Sequence, residues 1–218
     1  MDRYLRDEPL ALVPLHPNQH AYWAGKSVET ALHQLIVRVE KALDQQETVL
    51  GVFLVIEGAF NNTCYDTMCD ALIRHGSNYT IVRWIRATLE GRVAVATLSG
   101  FSMRLAISRG CPQGGVLSPL LWFLVVDDLL ARLNGNGVFI QGYTDDICLL
   151  AVGKFPNMVS GLIQWDLLTV QTWRNEVRLS VNPDKTGLVA FTRKRKLTGS
   201  LNHISLGLNY ISQGQSSI

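Results

Sequence analysis

Tyr143-Thr144-Asp145-Asp146 places two adjacent carboxylates between two apolar runs, Val138-Phe139-Ile140 and Ile147-Cys148-Leu149-Leu150-Ala151-Val152. Two short β-rich runs around a tight polar stretch predict a hairpin with the acids at its tip. Neighbouring side chains on a strand face opposite ways, so both acids cannot enter a core. Paired like charges there also need a counter-ion, and a divalent cation is the natural one. Taken alone, the tetrapeptide reads first as an exposed hairpin turn that happens to be acidic. The rest of the chain has to decide between the two.

The chain has 218 residues, 47% of them apolar, and a formal net charge of +2. That composition belongs to a folded domain, not to a disordered or strongly basic arm. It allows a nucleic-acid partner without demanding one. Arg193-Lys194-Arg195-Lys196 is the strongest basic run and suits a solvated face or phosphate contacts. Cys64, Cys69, Cys111 and Cys148 lack metal-site spacing and read as reduced thiols. The longest apolar run, Leu120 to Val126, is too short to span a bilayer.

Residues 1–25 are expected to be irregular, with Pro14, Pro17 and Gly25 as punctuation. Ser27 caps a helix to about Gln45, whose Leu32, Leu35, Ile36, Val39 and Leu43 have helical spacing. Val49 to Ile56 is a buried strand. Helices follow at 65–74 and 79–89, then a hairpin from Arg92 to Leu98 and Ser102 to Ile107. Ser118 and Pro119 suit the cap and first turn of a helix to Leu133. Beyond the acidic hairpin come a helix at 155–177 and a strand at 187–192. The residues after Gly199 carry no pattern. The predicted class is α+β.

Six segments, in order, carry a resemblance. They are His16-Pro17-Asn18-Gln19-His20-Ala21-Tyr22 with Gly25-Lys26-Ser27; Phe53-Leu54-Val55-Ile56-Glu57-Gly58-Ala59-Phe60-Asn61; and Arg109-Gly110-Cys111-Pro112-Gln113-Gly114-Gly115-Val116-Leu117-Ser118-Pro119-Leu120-Leu121. The others are Gly142-Tyr143-Thr144-Asp145-Asp146, Leu179-Ser180-Val181-Asn182-Pro183-Asp184-Lys185-Thr186 and the basic run from Arg193. Together they resemble the reverse transcriptase domain of non-LTR retrotransposons. The resemblance implies a right-hand polymerase palm with partial fingers over 14–197, its antiparallel sheet backed by helices, and an irregular tail at 198–218.

It implies RNA-templated DNA synthesis by two-metal nucleotidyl transfer. The partners would be an RNA template, a DNA primer and deoxynucleoside triphosphates, with no membrane. The location implied is intracellular, in cytoplasm and nucleus. Asp145 and Asp146 match the magnesium ligands, two ions being expected. Lys185 matches a lysine that assists the departing pyrophosphate. Phe60 matches the bulky position that excludes a ribose 2′-hydroxyl, and Gln113 with Gly114 lies by the incoming nucleotide. Positioning and charge neutralisation dominate such phosphoryl transfer, so the carboxylates matter most.

One departure matters. The family has an aspartate where this chain has Val55, and valine offers no oxygen to a metal. Glu57, two residues on, lies nearly 7 Å along a regular strand and is no replacement. Asn61 also replaces a usual aspartate. Fingers segments before Pro14, a thumb, an endonuclease and a full primer-grip hairpin around Ile204-Ser205-Leu206-Gly207 have no counterpart. The expectation is a truncated, inactive copy. The alternative is a non-catalytic remnant or an RNA- or protein-binding module.

Overall fold

In the computed structural model, residues 1–135, 137–193, 204–206, 209–211 and 213–214 are described. Along the chain run α1 (Asp2–Asp7), α2 (Pro9–Leu12), α3 (Val28–Asp44), β1 (Thr48–Glu57), α4 (Ala59–Asn62), α5 (Tyr65–Arg74) and α6 (Tyr79–Glu90). Then come β2 (Val93–Leu98), β3 (Phe101–Ala106), α7 (Ser118–Leu133), β4 (Val138–Tyr143), β5 (Asp146–Gly153) and α8 (Pro156–Val177). Among the described residues short strands follow: β6 (Ser180–Val181), β7 (Gly187–Phe191), β8 (Ser205–Leu206), β9 (Asn209–Tyr210) and β10 (Gln213–Gly214). Two compact units form. One holds Met1–Leu15, Gly58–Asp128 and Val177–Leu179; the other holds His16–Glu57, Leu129–Glu176 and Ser180–Ile218.

The second unit is built on one sheet in the order β10-β7-β1-β5-β4, with β6 also beside β1. Its pairs are antiparallel, except that β10 runs parallel to β7. β1 is central because its sequence is apolar on both faces, as a strand flanked on both sides must be. Leu50, Val52, Leu54 and Ile56 are fully buried on one face, worth about 1.5–3 kcal/mol each. On the other face Val49, Cys148 and Leu150 form a core cluster with Ala42, packed against Leu35 and Val39 of α3. Of the α3 stripe anticipated from spacing, Leu35 and Val39 pack on the sheet and Leu43 is buried, while Leu32 and Ile36 are each 52% exposed.

α3 starts with a reciprocal cap. Ser27 Oγ accepts from Thr30 N–H at 3.2 Å, and Thr30 Oγ1 accepts from Ser27 N–H at 2.8 Å. That satisfies donors the first helical turn leaves orphaned. The segment before it is tied to the sheet edge. His20 N–H donates to Gly142 O at 2.9 Å, and Gly142 N–H to Asn18 O at 3.0 Å. Lys26 Nζ closes this loop by donating to the carbonyls of Pro17 and, at 2.7 Å, Gln19. An exposed edge of β4 is thus covered, as sheet edges have to be.

Three expectations need correction. Residues 1–25 are not irregular: α1 and α2 form without side-chain caps, because Leu5 and Leu10 are buried. Hydrophobic anchoring replaces local helix signals there. The tail from 198 is not irregular where it is described. β8 pairs with β9, β10 extends the main sheet, and Ile204 and Leu206 are buried. Gln164 of α8 stands in for a strand, donating to Ser205 O at 3.1 Å and accepting from Ser205 N–H at 3.0 Å. Lys194 to Lys196 and Gly207 lie outside the described residues. Finally, Ser118 is not a side-chain cap. Its hydroxyl donates to Pro112 O at 2.6 Å, and the first α7 bond accepts at Leu117 O.

In the first unit, the strap 107–111 is bound to α4. Gly110 N–H donates to Thr63 O at 2.8 Å, and Cys111 N–H to Phe60 O at 2.6 Å. Gly110 sits at φ 76°, and a Cβ there would stand 2.5 Å from Asn61 O and 2.6 Å from Phe60 O. Only glycine tolerates both the dihedral and the approach. His75 is buried between two acceptors: its Nδ1 lies 3.1 Å from Val13 O, and its Nε2 lies 3.4 Å from Asp127 Oδ2. Both contacts are satisfied as donors only by the imidazolium. Burial works against that charge and Arg74 opposes it too, but the bonds to Asp127 and Val13 and the Asp127 charge win, so the His75 pKa is raised.

Two outcomes follow. Gly110→Ala should destabilise the chain by more than about 2 kcal/mol, from strain and a backbone clash, measured by urea unfolding. For His75 the folded pKa lies above the unfolded one. Its contribution is therefore complete below about pH 6.5 and is lost as pH rises through the folded value. The stability difference between wild type and His75→Gln should shrink from pH 5.5 to pH 9. A difference that grows with pH would refute the imidazolium.

Candidate active site

The β4–β5 connection is tighter than a generic acidic loop. Tyr143 pairs with Asp146, so Thr144 and Asp145 alone make the turn. Thr144 adopts φ 53°, a genuine outlier for a β-branched residue, and such strain concentrates at functional turns. The Thr144 hydroxyl donates to Tyr143 O at 2.7 Å. Asp145 is half-buried in the turn, and Asp146 is the exposed first residue of β5.

Position 55 meets this turn through the sheet. Val55 is the cross-strand partner of Asp146, and Ile56 N–H donates to Asp145 O at 2.9 Å. On the opposite edge of β1, Asn182 N–H donates to Val55 O at 2.9 Å. Directly paired residues share a face, so the valine side chain stands beside the Asp146 carboxylate.

Asn182 organises the fourth participant. Its Oδ1 accepts from the backbone N–H of Asp184 and of Lys185, both at 3.0 Å. Thr186 Oγ1 donates to Asn182 O at 2.7 Å. This Asx turn presents exposed Lys185 toward the acids. Partial burial pushes the Asp146 carboxyl up, the Asp145 charge adds to that, and the Lys185 ammonium opposes both. The second unit thus brings together Val55, Asp145, Asp146 and Lys185, which are separated by up to 130 positions.

These donors do not make a two-metal centre. The carboxylates come from one turn, and the paired position on β1 is a hydrocarbon. Among the described residues, no three His, Cys, Asp or Glu side chains are grouped to hold a metal ion. Magnesium sheds water reluctantly and demands near-octahedral oxygen geometry, so two acids without an opposing ligand are a poor cage.

Phe60, Gln113 and Gly114 lie in the first unit. Phe60 is half-buried on α4, while Gln113 and Gly114 are exposed in the loop before α7. The Cys111-to-Phe60 bond ties that loop's stem to the α4 turn. Arg92 holds the same stem. It donates through Nη2 to Gly110 O, to Arg109 O at 3.1 Å and to the Tyr65 hydroxyl at 3.1 Å, and through Nε to Leu89 O at 3.0 Å. The Tyr65 hydroxyl in turn donates to Ile107 O at 2.9 Å. A charged, planar donor shared among carbonyls is a strong clamp. The sequence does not announce Arg92, since its acceptors lie mostly on a later segment. Asn182-Pro183 did carry a signal, being a typical turn-initiating pair.

Comparison with known proteins places this architecture. The family model described as reverse transcriptase (RNA-dependent DNA polymerase) matches residues 3–207. A Drosophila melanogaster protein, the putative 115 kDa protein in type-1 retrotransposable element R1DM, is 26% identical over 88% of this chain and 18% of its own length. The RNA-directed DNA polymerase from mobile element jockey of the same organism is 26% identical over 84% of this chain and 20% of its own length. This chain therefore spans about a fifth of the length of those relatives. Telomerase from Candida tropicalis shares the fold with a TM-score of 0.64 at 10% identity, over 89% of this chain and 39% of that one. No helix among the described residues is long and apolar enough to cross a membrane. With a family model matched over nearly its whole length, the chain belongs to the reverse transcriptase (RNA-dependent DNA polymerase) family, and the relatives named here are proteins of non-LTR retrotransposons.

Proposed function

We propose that this chain is the palm and partial fingers of a retrotransposon reverse transcriptase in which nucleotidyl transfer is silenced at position 55. The observation that carries the reading is the pairing of Val55 with Asp146, next to the strained Thr144-Asp145 turn. A polymerase acting on an RNA template, a DNA primer and deoxynucleoside triphosphates needs carboxylates from two strands at that place. This chain supplies them from one. Lys185 is suited to meet the charge of a leaving pyrophosphate, Phe60 to bar a ribose 2′-hydroxyl, and Gln113 and Gly114 to border the nucleotide. Those roles rest on the sequence resemblance to the family that the match over residues 3–207 supports.

The valine also explains why the scaffold persists without the chemistry. At position 55 the carbonyl is engaged by Asn182 and the next amide, of Ile56, by Asp145, so the site needs only a strand-compatible side chain. A third carboxylate with no cation would add repulsion to a turn where the Asp146 pKa is already raised.

The test is magnesium-dependent primer extension on an RNA template, with this segment carried in the full length of a relative such as the jockey polymerase. With Val55, extension should be at background. Val55→Asp should raise it by at least about 10²-fold, the usual scale for one central electrostatic group, and Asp145→Ala in that background should remove the gain. Equal extension with valine and aspartate would sink the proposal.

A further inference from the structure

None of the candidate site residues lies on the β2–β3 hairpin. All of its strand residues are exposed. Its register pairs Ala94 with Leu105, Ala96 with Met103 and Leu98 with Phe101. Paired residues share a face and alternate along each strand, so these six side chains lie together on one face without a polar group among them. Leu98 is 80% exposed, Phe101 83%, Met103 66% and Leu105 62%. The turn is well made: Ser99 and Gly100 have φ of 49° and 85°, the doubly positive form that matches strand twist. The local sequence thus specifies the hairpin, yet a lone two-stranded ribbon is only marginally stable in water. A contiguous apolar face of this size marks an interaction surface.

The chemistry of the face selects its occupant. Nucleic acid requires cations to neutralise phosphates, and Arg104, the one charged residue of these strands, lies on the opposite face with Val95. A charged peptide would be desolvated there without a partner group. An uncharged apolar face is complementary to itself, the requirement for a two-fold contact in which both subunits use one patch. Its six side chains offer on the order of 650 Å², so two copies would bury about 1,300 Å² in total, within the range of stable specific interfaces.

We propose that this face is a homodimer interface, in which the hairpins of two copies pack face to face. The inference does not depend on polymerase activity.

Sedimentation equilibrium of the 218-residue chain from about 1 to 100 µM tests it. The wild type should dimerise. Met103→Glu should weaken the dimer by at least about 10²-fold, while Arg104→Glu, on the other face, should leave it intact. Both sites are exposed, so unchanged circular dichroism is expected, with unchanged melting at concentrations below dimerisation and a lower Met103→Glu melting temperature above it. Under mild oxidation, Ala96→Cys should give a covalent dimer, and neither Thr97→Cys nor wild type should. A wild type that stays monomeric would overturn the proposal and leave another protein or another segment of a longer polypeptide as the occupant. A dimer indifferent to Met103→Glu, or cross-linked equally through Thr97→Cys, would overturn it too.

Discussion

The register of β1 against β5 is the constraint on which the candidate site depends. Side chains alternate with a period of two, so a slip of one residue would move every β1 side chain to the opposite face. Leu50, Val52, Leu54 and Ile56 are fully buried on one face, and four such side chains hold the strand in a single register. That same register puts Val55 beside Asp146 and aims the Ile56 amide at Asp145 O. Core packing at one end of the strand thus decides the chemistry at the other.

Frame and chemistry are separable at this point. The backbone of β1 is engaged on both edges around position 55, by Asp145 on one side and Asn182 on the other. None of these bonds uses the Val55 side chain. A hydrocarbon there keeps the strand paired and adds no further charge beside Asp145 and Asp146.

The first unit shows a second way of holding a loop in place. Its strap from 107 to 111 has no sheet to join. It is held instead by two backbone bonds to the α4 segment, by the Arg92 guanidinium and by the Tyr65 hydroxyl. Gly110 is what allows the backbone to come that close. The loop bearing Gln113 and Gly114 is consequently anchored at its stem while its own residues remain open to solvent.

Much of this was legible in the chain itself. Hydrophobic periodicity marked α3, β1, α7, the acidic hairpin and α8 to within a residue or two, because each is amphipathic or continuously apolar over its length. The acids, Gln113-Gly114 and Lys185 were visible as local residue patterns, and Val55 as a departure from what the resemblance implies. Other features were not visible, for physical reasons. α1 and α2 lack capping signals and owe their existence to burial of Leu5 and Leu10. β8 and β10 are too short for any periodicity and exist through Gln164 and β7. Arg92 acts on carbonyls, which every residue possesses and no sequence pattern distinguishes. Local composition by itself determined which segments are helices and strands and which residue types stand ready for chemistry. Only the tertiary structure decided that residues 55, 145, 146 and 185 meet, because strand register is set by the packing of side chains distant in sequence.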